Sequence, residues 1–551
     1  MPPARALKSP LVQTALLLAL VAAVPVLSVV SSLFAGGTGE VWAHLAETVL
    51  FAYARNTLVL LVLVGIGVTA IGVGAAWLVT MLEFPGRRMF EWMLVLPLAM
   101  PAYVMAYAYT DLLQFTGPVQ TLLRETFDWG RRDYWFPEVR SIGGAAVMFV
   151  FVLYPYVYLL ARSAFVERSG NVMEVSRSLG CGPWASFFRL SLPLARPAIA
   201  GGVALAAMET LADYGTVSYF SVQTFTTGIY RAWLSLGDRL AAAQLACALL
   251  SFVLLVLVIE RVSRGRASYA TIGGRVRPIM PLRLHGGAAL LAVIGCMLPV
   301  LIGFVLPAAT LVCLALDSQV QHSIPRYVQL TVNSFTLAGI TALLAVLVAA
   351  TLAYALRLHR GPLTLVATRV VGLGYAVPGA VIAVGILIPL ATFDNWLDAT
   401  MRARFGVTTG LLLTGTVVAL IYAYLVRFLA VALETLEAGL GKITSSMDDA
   451  ARSLGLGAGA TLWRVHRPLM APSLLAAALL VFVDVMKELP ATLVVRPFNF
   501  DTLATQAFTY AADERLGQAA VASLVIVAVG VLPVILLTRT LRRVRPEAGR
   551  A

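Results

Sequence analysis

Charged residues are scarce in this sequence. Only 13% of its 551 residues are Asp, Glu, Lys or Arg, while 60% are hydrophobic. Soluble proteins carry roughly 25% charged residues, so this composition excludes a water-soluble globule of this length. At roughly 20 apolar residues for each crossing of a ~30 Å hydrocarbon layer, the apolar content suffices for about a dozen transmembrane helices.

Cysteine and histidine, the usual ligands of structural metal ions, are also rare. The four cysteines contain no CxxC pair, and all but Cys181 lie in apolar runs where a thiol behaves as a small hydrophobic group. The five histidines form neither an HExxH motif nor an i,i+4 pair. We therefore expect no disulfide framework, no zinc site, no firm metal site of another kind and no cofactor bound by this chain.

A nucleotide-binding loop is missing as well. A P-loop requires the pattern GxxxxGK[ST] between a strand and a helix, because its amides hold phosphate and its hydroxyl reaches magnesium. The nearest match, Gly439 to Thr444, has Ile443 at the hydroxyl position and follows no predicted strand. The apolar segments also lack a Ser/His/Asp or histidine-rich group, which argues against a membrane enzyme. We expect a protein that is not an enzyme, with any ATP hydrolysis on separate subunits.

Twelve apolar runs are present, and they predict an all-α membrane protein of about twelve transmembrane helices. The first run follows Arg5 and Lys8 and is similar to a signal peptide. It exceeds the usual core of roughly 7–15 apolar residues of a cleaved signal, so we interpret it as a helix. The runs lie near residues 11–34, 57–82, 90–112, 141–162, 196–220, 240–260, 286–316, 335–356, 363–393, 409–430, 471–495 and 517–538.

Arginine is concentrated in alternate connections between the runs. The positive-inside rule places these connections and both termini in the cytoplasm. The segment 113–140 is a partial exception, because its four arginines alternate with acidic residues on the predicted outer side; a small external helix is the simplest interpretation. Topology explains the net charge of +13 better than nucleic-acid binding does, since no basic face or soluble domain gathers the charge.

Two stretches, Met173–Pro197 and Met447–Pro472, match each other closely. Asn56 and the Met100-Pro101-Ala102 turn have counterparts 277 positions later, and the pairs within the two stretches are 275 positions apart: Arg177 with Arg452, Gly180 with Gly455, and Pro193 with Pro468. The chain therefore consists of two parallel six-helix repeats. We place the first repeat at 1–262, a basic cytoplasmic linker at 263–284 and the second repeat at 285–551.

The matching stretches lie on the predicted cytoplasmic side, and we call them the first docking segment (166–196) and the second docking segment (440–471). In each, an acidic residue begins a short helix, a glycine ends it, and an aromatic segment follows before a proline precedes the next span. Exposed aromatic side chains are disfavoured unless a partner covers them. We therefore favour protein docking over a purely structural elbow.

The spacing within these segments resembles the cytoplasmic EAA loop of ABC importer permeases, through which each half of the permease engages an ATPase subunit. The departures from that pattern are Val175, Ser176, Asp449 and Arg467. The resemblance implies a type I ABC importer permease fold and a docking role for both copies. The residues to which it assigns this role are Glu174, Arg177, Gly180, Pro193, Asp449, Ala450, Ala451, Arg452, Gly455 and Pro468.

Two further runs, Leu211–Trp233 and Val483–Ala520, resemble those of fused permeases for ferric iron uptake. This resemblance implies a multi-pass protein of the bacterial inner membrane that forms the pathway for a solute, here ferric iron, delivered by a periplasmic binding protein. The implied partners are two copies of a cytoplasmic ABC ATPase and the lipid bilayer, and no nucleic acid. Fused permeases for thiamine, phosphonate or another small solute stay open as alternatives. An ion-coupled secondary transporter is less favoured, because it has no ATPase to dock.

Acidic residues lie inside the predicted span after each docking segment. Glu209 and Asp213 correspond to Asp484 and Glu488, again 275 positions apart, and the i,i+4 spacing puts each pair on one helical face. Charges at this depth are costly unless they face a cavity or a partner. We predict that the four carboxylates line the translocation pathway and contact iron transiently, since hard cations prefer oxygen ligands. Helix capping, or pairing with a base such as Lys487, is the structural alternative.

Four tyrosines could add phenolate oxygens to the same pathway. An interfacial tyrosine belt is the commoner explanation for such residues. The residues concerned are Tyr103, Tyr107, Tyr109 and Tyr214.

Overall fold

The computed structural model describes residues 9–34, 39–178, 182–264, 281–317 and 323–543. Helices dominate these ranges, and two short strands, β1 (Leu82–Glu83) and β2 (Leu282–Arg283), pair in parallel. The helices up to residue 264 are α1 (Pro10–Ser31), α2 (Gly39–Thr48), α3 (Leu50–Met81), α4 (Arg87–Met93), α5 (Ala102–Leu113), α6 (Pro118–Phe127), α7 (Ile142–Ser178), α8 (Pro183–Ser186), α9 (Leu192–Ala212), α10 (Gly215–Tyr219), α11 (Phe225–Tyr230) and α12 (Arg239–Arg264). The later helices are α13 (Gly286–Val300), α14 (Leu306–Leu316), α15 (Ile324–Leu358), α16 (Pro362–Gly372), α17 (Gly379–Phe405), α18 (Val417–Leu440), α19 (Ser445–Ser453), α20 (Ala458–Thr461), α21 (Arg467–Met486), α22 (Pro490–Val495), α23 (Leu503–Ala512) and α24 (Leu516–Arg543).

The number of membrane-spanning helices agrees with the sequence. Among the described residues, eleven helices are long and apolar enough to cross a membrane, and the number is twelve if one bent pair counts as a single span. The prediction of an all-α membrane protein with about twelve spans is confirmed. The small helix expected within segment 113–140 is α6.

The bent pair lies where the third apolar run predicts a continuous span. The helices Arg87–Ala99 and Ala102–Phe127 meet at 91°, so the run near 90–112 bends at the Met100-Pro101-Ala102 turn. Pro101 is the cause, because proline lacks an amide hydrogen and forces the preceding residue out of the helical region. Met100 accordingly has φ −95° and ψ 112°. The equivalent Val377-Pro378 step begins α17 in the same way, with φ −80° and ψ 122° at Val377.

The described chain forms two compact units, and each combines segments that are distant in sequence. Unit 1 contains α1, residues 229–250 and the helices from α15 to α22. Unit 2 contains the helices from α3 to α10 together with α13, α14 and α24. Each unit thus holds the middle of one repeat and the first span of the other repeat. The units differ from the sequence repeats, whose boundaries at 262 and 285 stay a prediction.

Unit 1 includes the first apolar run as a helix with buried contacts. α1 packs against α16 and α17, and the Tyr422 hydroxyl donates to the Val21 carbonyl at 2.6 Å. Gly385 on α17 permits the close approach, since a Cβ atom at this position would overlap the backbone carbonyl of Pro25. The interpretation of this run as a helix of the fold is therefore supported by its packing.

Unit 2 is organised around α3 and α7, which pack along each other. α9, the helix that carries the first-repeat acids, contacts both of them. α14 packs against α24 and α5, so the first span of the second repeat joins the helices of the first repeat. β1 and β2 also belong to this unit and link the end of α3 to the segment that precedes α13.

The span after each docking segment begins earlier than its prolines suggest. The sequence predicts that proline separates the aromatic segment from the span, but the helices run from Trp184 to Ala212 and from Gly459 to Met486. That prediction is wrong because a π turn, Phe187–Ser191 or Leu462–His466, lies just before the first proline of each span. The wider π turn gives a proline ring room that a regular α-helix denies it.

We predict that Gly385→Val destabilises unit 1, whereas Gly339→Val does not. Valine at 385 collides with the Pro25 backbone, which cannot rotate away as a side chain can, and overpacking of this kind costs about 1–3 kcal/mol. Gly339, on α15 of the same unit, has no atom within 4 Å of an added Cβ and serves as the matched control. The measurement is the thermal unfolding midpoint of each purified variant in one detergent. Equal midpoints would contradict the close approach of α1 and α17.

Candidate functional site

The helix of the second docking segment ends as its sequence predicts. α19 is followed by Gly455, which has φ 76°. The Gly455 amide donates to the Arg452 carbonyl, and the Leu456 amide donates to the Ala451 carbonyl, both at 3.0 Å. These bonds form a Schellman cap, in which a left-handed residue satisfies the last carbonyls of a helix. Glycine fits this position because it has no Cβ atom to oppose a positive φ.

Most residues of the motif in this segment are accessible. The side chains of Asp449 and Arg452 are 67% and 71% exposed and form an ion pair along α19 at 2.6 Å. Ala450 and Pro468 are also exposed, whereas Ala451 is buried against the protein. The segment therefore presents a polar helical edge to solvent, and its role in docking stays a prediction.

Large apolar side chains accompany this edge. Leu454 is 80% exposed and Trp463 is 63% exposed. Arg467, which replaces the leucine of the motif, lies 4.7 Å from the centroid of the Trp463 ring and holds the indole by a cation–π contact. In the first docking segment, Trp184 and Phe188 are also exposed and stack with centroids 6.4 Å apart. Exposed groups of this size favour a surface that another protein covers.

Part of the first docking segment lies outside the described structure. Gly180 is outside the described residues, and so are the side chains of Glu174 and Arg177, whose backbone belongs to α7. Pro193 is described; it is exposed and follows the π turn Phe187–Ser191. The docking roles of these four residues stay predictions.

An ionic contact that the sequence analysis missed anchors the second docking segment. Asp448 accepts a hydrogen bond from Arg357 Nη2 at 2.7 Å and contacts His466 Nε2 at 2.7 Å. Arg357, in the last turn of α15, also donates to the carbonyls of Leu440 and Ile443. Because Asp448 lies on α19 and His466 in the π turn, this contact joins both parts of the segment to a span. We call Arg357, Asp448 and His466 the latch.

The latch keeps its carboxylate ionised. Burial alone would raise the pKa of Asp448, but hydrogen bonds from His466 and Arg357 and the charge of Arg357 hold that pKa below its usual value. No motif marks the latch, because its members are separated by 91 and 18 positions. The first-repeat counterparts of Asp448 and His466 are Met173 and Ser191, so comparison of the repeats does not reveal it.

The first-repeat acids lie at and before a helix break. α9 ends at Ala212, and Asp213 is extended, with φ −71° and ψ 136°. Its carboxylate accepts hydrogen bonds from the amides of Thr216 at 2.9 Å and Val217 at 3.3 Å, and so caps α10. Glu209 is half-buried on α9, close enough to Asp213 for their charges to interact. The expectation that the pair shares one helical face is wrong, because the helix ends between them.

The second repeat has the same break with a longer acid. Glu488 follows α21, and its carboxylate accepts from the amides of Ala491 at 2.9 Å and Thr492 at 3.1 Å, which begin α22. Glu488 is also paired with Arg427 at 3.1 Å, and Asp484 is paired with Lys487 at 2.9 Å. Here too the pair does not share a helical face, for the same reason. The caps and pairs match the structural alternative, and the pathway role of the four acids stays a prediction.

Of the four tyrosines, Tyr103, Tyr107 and Tyr109 are buried within unit 2 and Tyr214 is half-buried. Tyr109 donates to the Ile302 carbonyl at 2.7 Å. The Tyr107 ring lies 5.8 Å from that of Tyr103 and 4.7 Å from that of Tyr219. Tyr214 contacts Phe508 with a centroid distance of 5.7 Å. Buried positions of this kind differ from an interfacial belt, whose side chains face lipid headgroups.

The matching asparagines of the two repeats perform the same task. Asn56 donates to the Gln223 carbonyl at 2.9 Å, and Asn333 donates to the Asp501 carbonyl at 3.1 Å. Each contact ties the first long helix of a repeat core to the loop beyond the capped break. The structure thus explains why an asparagine is repeated 277 positions apart in the sequence.

Comparison with known proteins identifies a family whose model matches this chain. The model of the family described as "binding-protein-dependent transport system inner membrane component" matches the chain twice, over residues 68–268 and 342–546. The two matches together cover more than half of the chain. One match falls mainly in each predicted repeat.

Individual relatives differ in how much of the chain they cover. The Fe(3+)-transport system permease protein FbpB 2 of Haemophilus influenzae is 28% identical over 493 residues, which are 88% of this chain and 89% of that protein. The ferric transport system permease protein FbpB of Actinobacillus pleuropneumoniae is 25% identical over 79% of this chain and 63% of that protein. The molybdenum transport system permease protein ModB of Escherichia coli is 29% identical over 36% of this chain and 87% of that protein.

We predict that Asp448→Ala loosens α19, while Asp449→Ala does not. The first change leaves Arg357 and His466 without their carboxylate and should lower the free energy of local opening by about 1–3 kcal/mol. Asp449, which lies beside it, is paired only on the exposed surface, where an ion pair contributes about 0–1 kcal/mol. The measurement is hydrogen exchange of the α19 amides.

The pH dependence gives this prediction a second readout. Because folding lowers the pKa of Asp448, the latch stabilises the protein above the ordinary aspartate pKa of about 3.9 and is lost as the pH falls through the lowered value. The difference between wild type and Asp448→Ala should therefore be full at neutral pH and vanish in acid. A difference that is the same at all pH values would contradict an ionic latch.

Proposed function

This chain belongs to the family of binding-protein-dependent transport system inner membrane components, and we propose that it is the permease subunit of an ATP-driven importer for ferric iron. The observation that carries the iron assignment is similarity over both repeats. A ferric permease matches over 88% of this chain and 89% of its own length, whereas the molybdenum permease matches over 87% of its own, shorter length and so spans 36% of this chain. The chemistry of the breaks supports the same solute, because carboxylate and hydroxyl oxygens are the ligands that hard cations prefer.

We propose that the two docking segments bind two ATPase subunits on the cytoplasmic side. The repeats supply two docking segments, and the accessible edge of α19 with Leu454 and Trp463 is polar and apolar in the mixture typical of transient interfaces. A periplasmic binding protein would deliver the solute from the other side. This arrangement requires the arginine-rich connections and both termini to be cytoplasmic, as the positive-inside rule predicts.

The second candidate is an importer of another small solute. The molybdenum relative and a sulfate transport system permease protein CysT of Escherichia coli, 26% identical over 206 residues, favour an oxyanion. Thiamine and phosphonate remain the candidates that the sequence resemblance leaves open. A cation and an oxyanion lead to opposite expectations for the acids at the breaks, since carboxylates attract a cation and repel an oxyanion.

Uptake measurements test the substrate. Cells that lack the gene for this chain should lose uptake of radiolabelled ferric iron and regain it when the gene is restored. Uptake of labelled molybdate, sulfate and thiamine in the same cells should not change. Loss of one of these solutes with normal iron uptake would overturn the iron assignment but not the family.

We predict that Gly455→Val uncouples ATP hydrolysis from transport, while Gly457→Val does not. Gly455 has a positive φ that costs roughly 1–2 kcal/mol for a residue with a Cβ atom, so valine should unwind the end of α19. Gly457 is equally free of neighbours within 4 Å but lacks the positive φ. The measurement is ATP hydrolysis by the assembled transporter with and without loaded binding protein. Normal stimulation in Gly455→Val would contradict docking through this segment.

A further inference from the structure

A cavity of about 500 Å³ lies among the ends of three helices in unit 1. It is bounded by the last turns of α15, the first turn of α16 and the last turn of α18, which pack against one another. Its volume falls in the range of roughly 300–1,000 Å³ that is typical of small-molecule sites. The residues that line it include Leu356, Arg357, Arg360, Leu365, Glu437 and Leu440.

Two side chains of opposite charge line this cavity without contacting each other. Arg360 is exposed and Glu437 is half-buried. Within the described residues, neither side chain forms an ion pair or a hydrogen bond. Arg357 differs, since it belongs to the latch and is bonded to Asp448 and to two backbone carbonyls. The walls of the cavity therefore offer one cation and one anion that the described protein does not neutralise.

The first repeat fills the equivalent place with a continuous series of ion pairs. In order of contact, its members are Glu83, Arg87, Glu91 and Arg162. The two outer members correspond to Arg360 and Glu437, at offsets of 277 and 275 positions. The contact between Glu91 and Arg162 measures 3.1 Å. Each charge in the first repeat thus has a partner within the protein.

The second repeat lacks the two middle members of this series. Thr364 and Thr368 stand in their places, and the hydroxyls of these buried threonines donate to backbone carbonyls at 2.6 and 3.2 Å. Threonine is shorter than arginine or glutamate and uncharged, so the outer charges, Arg360 and Glu437, remain apart. The missing pair is one negative group for the arginine and one positive group for the glutamate. A zwitterionic ligand supplies both.

The cavity lies at the level where the membrane spans end. The apolar runs at 335–356 and 409–430 stop just before its charged residues, and the corresponding helices end at Leu358 and Leu440. Large apolar side chains, Leu358 and Leu365, are exposed at the same level. The second docking segment begins at this end, which the predicted topology places in the cytoplasm. Charged pockets between spans at the cytoplasmic surface are typical sites for lipid headgroups.

We propose that this cavity binds the headgroup of phosphatidylethanolamine from the cytoplasmic leaflet. Arg360 binds the phosphate, for which a guanidinium is well suited, and Glu437 accepts hydrogen bonds from the ammonium. Phosphatidylglycerol has the phosphate without an ammonium group, and the cation of phosphatidylcholine donates no hydrogen bond, so neither lipid satisfies both charges. This inference goes beyond the proposed function and does not depend on which solute the chain carries.

A bound headgroup should also act on the latch. Arg357 belongs both to the wall of the cavity and to the latch, so a phosphate beside it restricts the same side chain that holds Asp448. Phosphatidylethanolamine should therefore slow hydrogen exchange of the α19 amides. This gives the proposal a local readout in addition to lipid binding.

Lipid competition on the purified full chain tests the proposal. The delipidated chain in detergent is offered equal amounts of phosphatidylethanolamine and phosphatidylglycerol of different acyl mass, and native mass spectrometry counts the lipid that stays bound. Wild type should prefer phosphatidylethanolamine by about tenfold, the effect of one charge-assisted hydrogen bond. Arg360→Ala should bind both lipids weakly. Glu437→Gln should lose the preference alone, because it removes the partner of the ammonium and keeps that of the phosphate.

Matched variants separate the cavity from general attraction to the membrane. Arg369, nine positions after Arg360, is exposed on α16 and does not line the cavity, so Arg369→Ala should keep the preference. Arg360→Lys, which restores the charge, should recover phosphate binding. In lipid-free detergent Arg360→Ala should have the thermal midpoint of wild type, because Arg360 has no partner among the described residues. Added phosphatidylethanolamine should raise the midpoint and slow α19 exchange in wild type only.

Several outcomes would overturn the proposal. Equal retention of the two lipids by wild type is one, and an unchanged preference in both Arg360→Ala and Glu437→Gln is another. Equally tight binding of soluble glycerophosphoethanolamine would assign the cavity to a soluble zwitterion instead of a lipid. Loss of ATPase binding in Arg360→Ala, with lipid binding unchanged, would assign it to the docking interface.

Discussion

A helix that begins in a protein interior exposes amide groups that must find acceptors, and this constraint shapes both repeats. The acceptor at each break is a carboxylate, Asp213 or Glu488, which takes the first amides of the following short helix. A carboxylate is a stronger acceptor than a hydroxyl or an amide oxygen. It also brings a charge to a place where charge is unfavourable, and each repeat must therefore compensate for that charge in its own way.

The same breaks lie at the far ends of the helices that carry the docking surfaces. The helix from Gly459 to Met486 begins beside the exposed Trp463 and ends two residues before Glu488. The π turn Leu462–His466 keeps this helix continuous past its proline. The latch ties the same surface to α15 through Arg357. The second docking segment and the capped break at Glu488 are thus connected through one continuous helix within unit 1.

Sequence reasoning reached the features that depend on local pattern. Apolar run length gave the number of spans, and the glycine that ends α19 followed from its position after Arg-Ser-Leu. Reasoning failed where a side chain competes with the helix for backbone hydrogen bonds. The i,i+4 spacing of Glu209 and Asp213 implied a shared helical face, but the acid's own hydrogen bonds to Thr216 and Val217 end the helix first.

The sequence also could not reveal the latch, or that the first span of each repeat packs in the unit of the other repeat. Both features depend on contacts between residues far apart in the sequence. Arg357 and Asp448 are 91 positions apart. An arginine at the end of a span is expected from the positive-inside rule, whether or not it forms an ion pair with a carboxylate. The packing of α1 against α16 and α17 depends on the missing side chain of Gly385, and one glycine in an apolar helix has many uses. Both contacts are long-range, and a single sequence records each residue without its partner.

Fusion of the two repeats into one chain explains why their breaks have been able to diverge. Two identical chains must carry the same residue at each equivalent position, so an arginine that neutralises one break would neutralise both. In a fused chain the positions are independent: Arg427 in one repeat corresponds to Val152 in the other, and Tyr107 corresponds to Val384. The capping task is retained on both sides because the exposed amides are the same. Within the described residues, a base contacts the capping acid in the second repeat only, and that is the pattern expected when backbone geometry requires both acids while each repeat compensates for their burial with its own side chains.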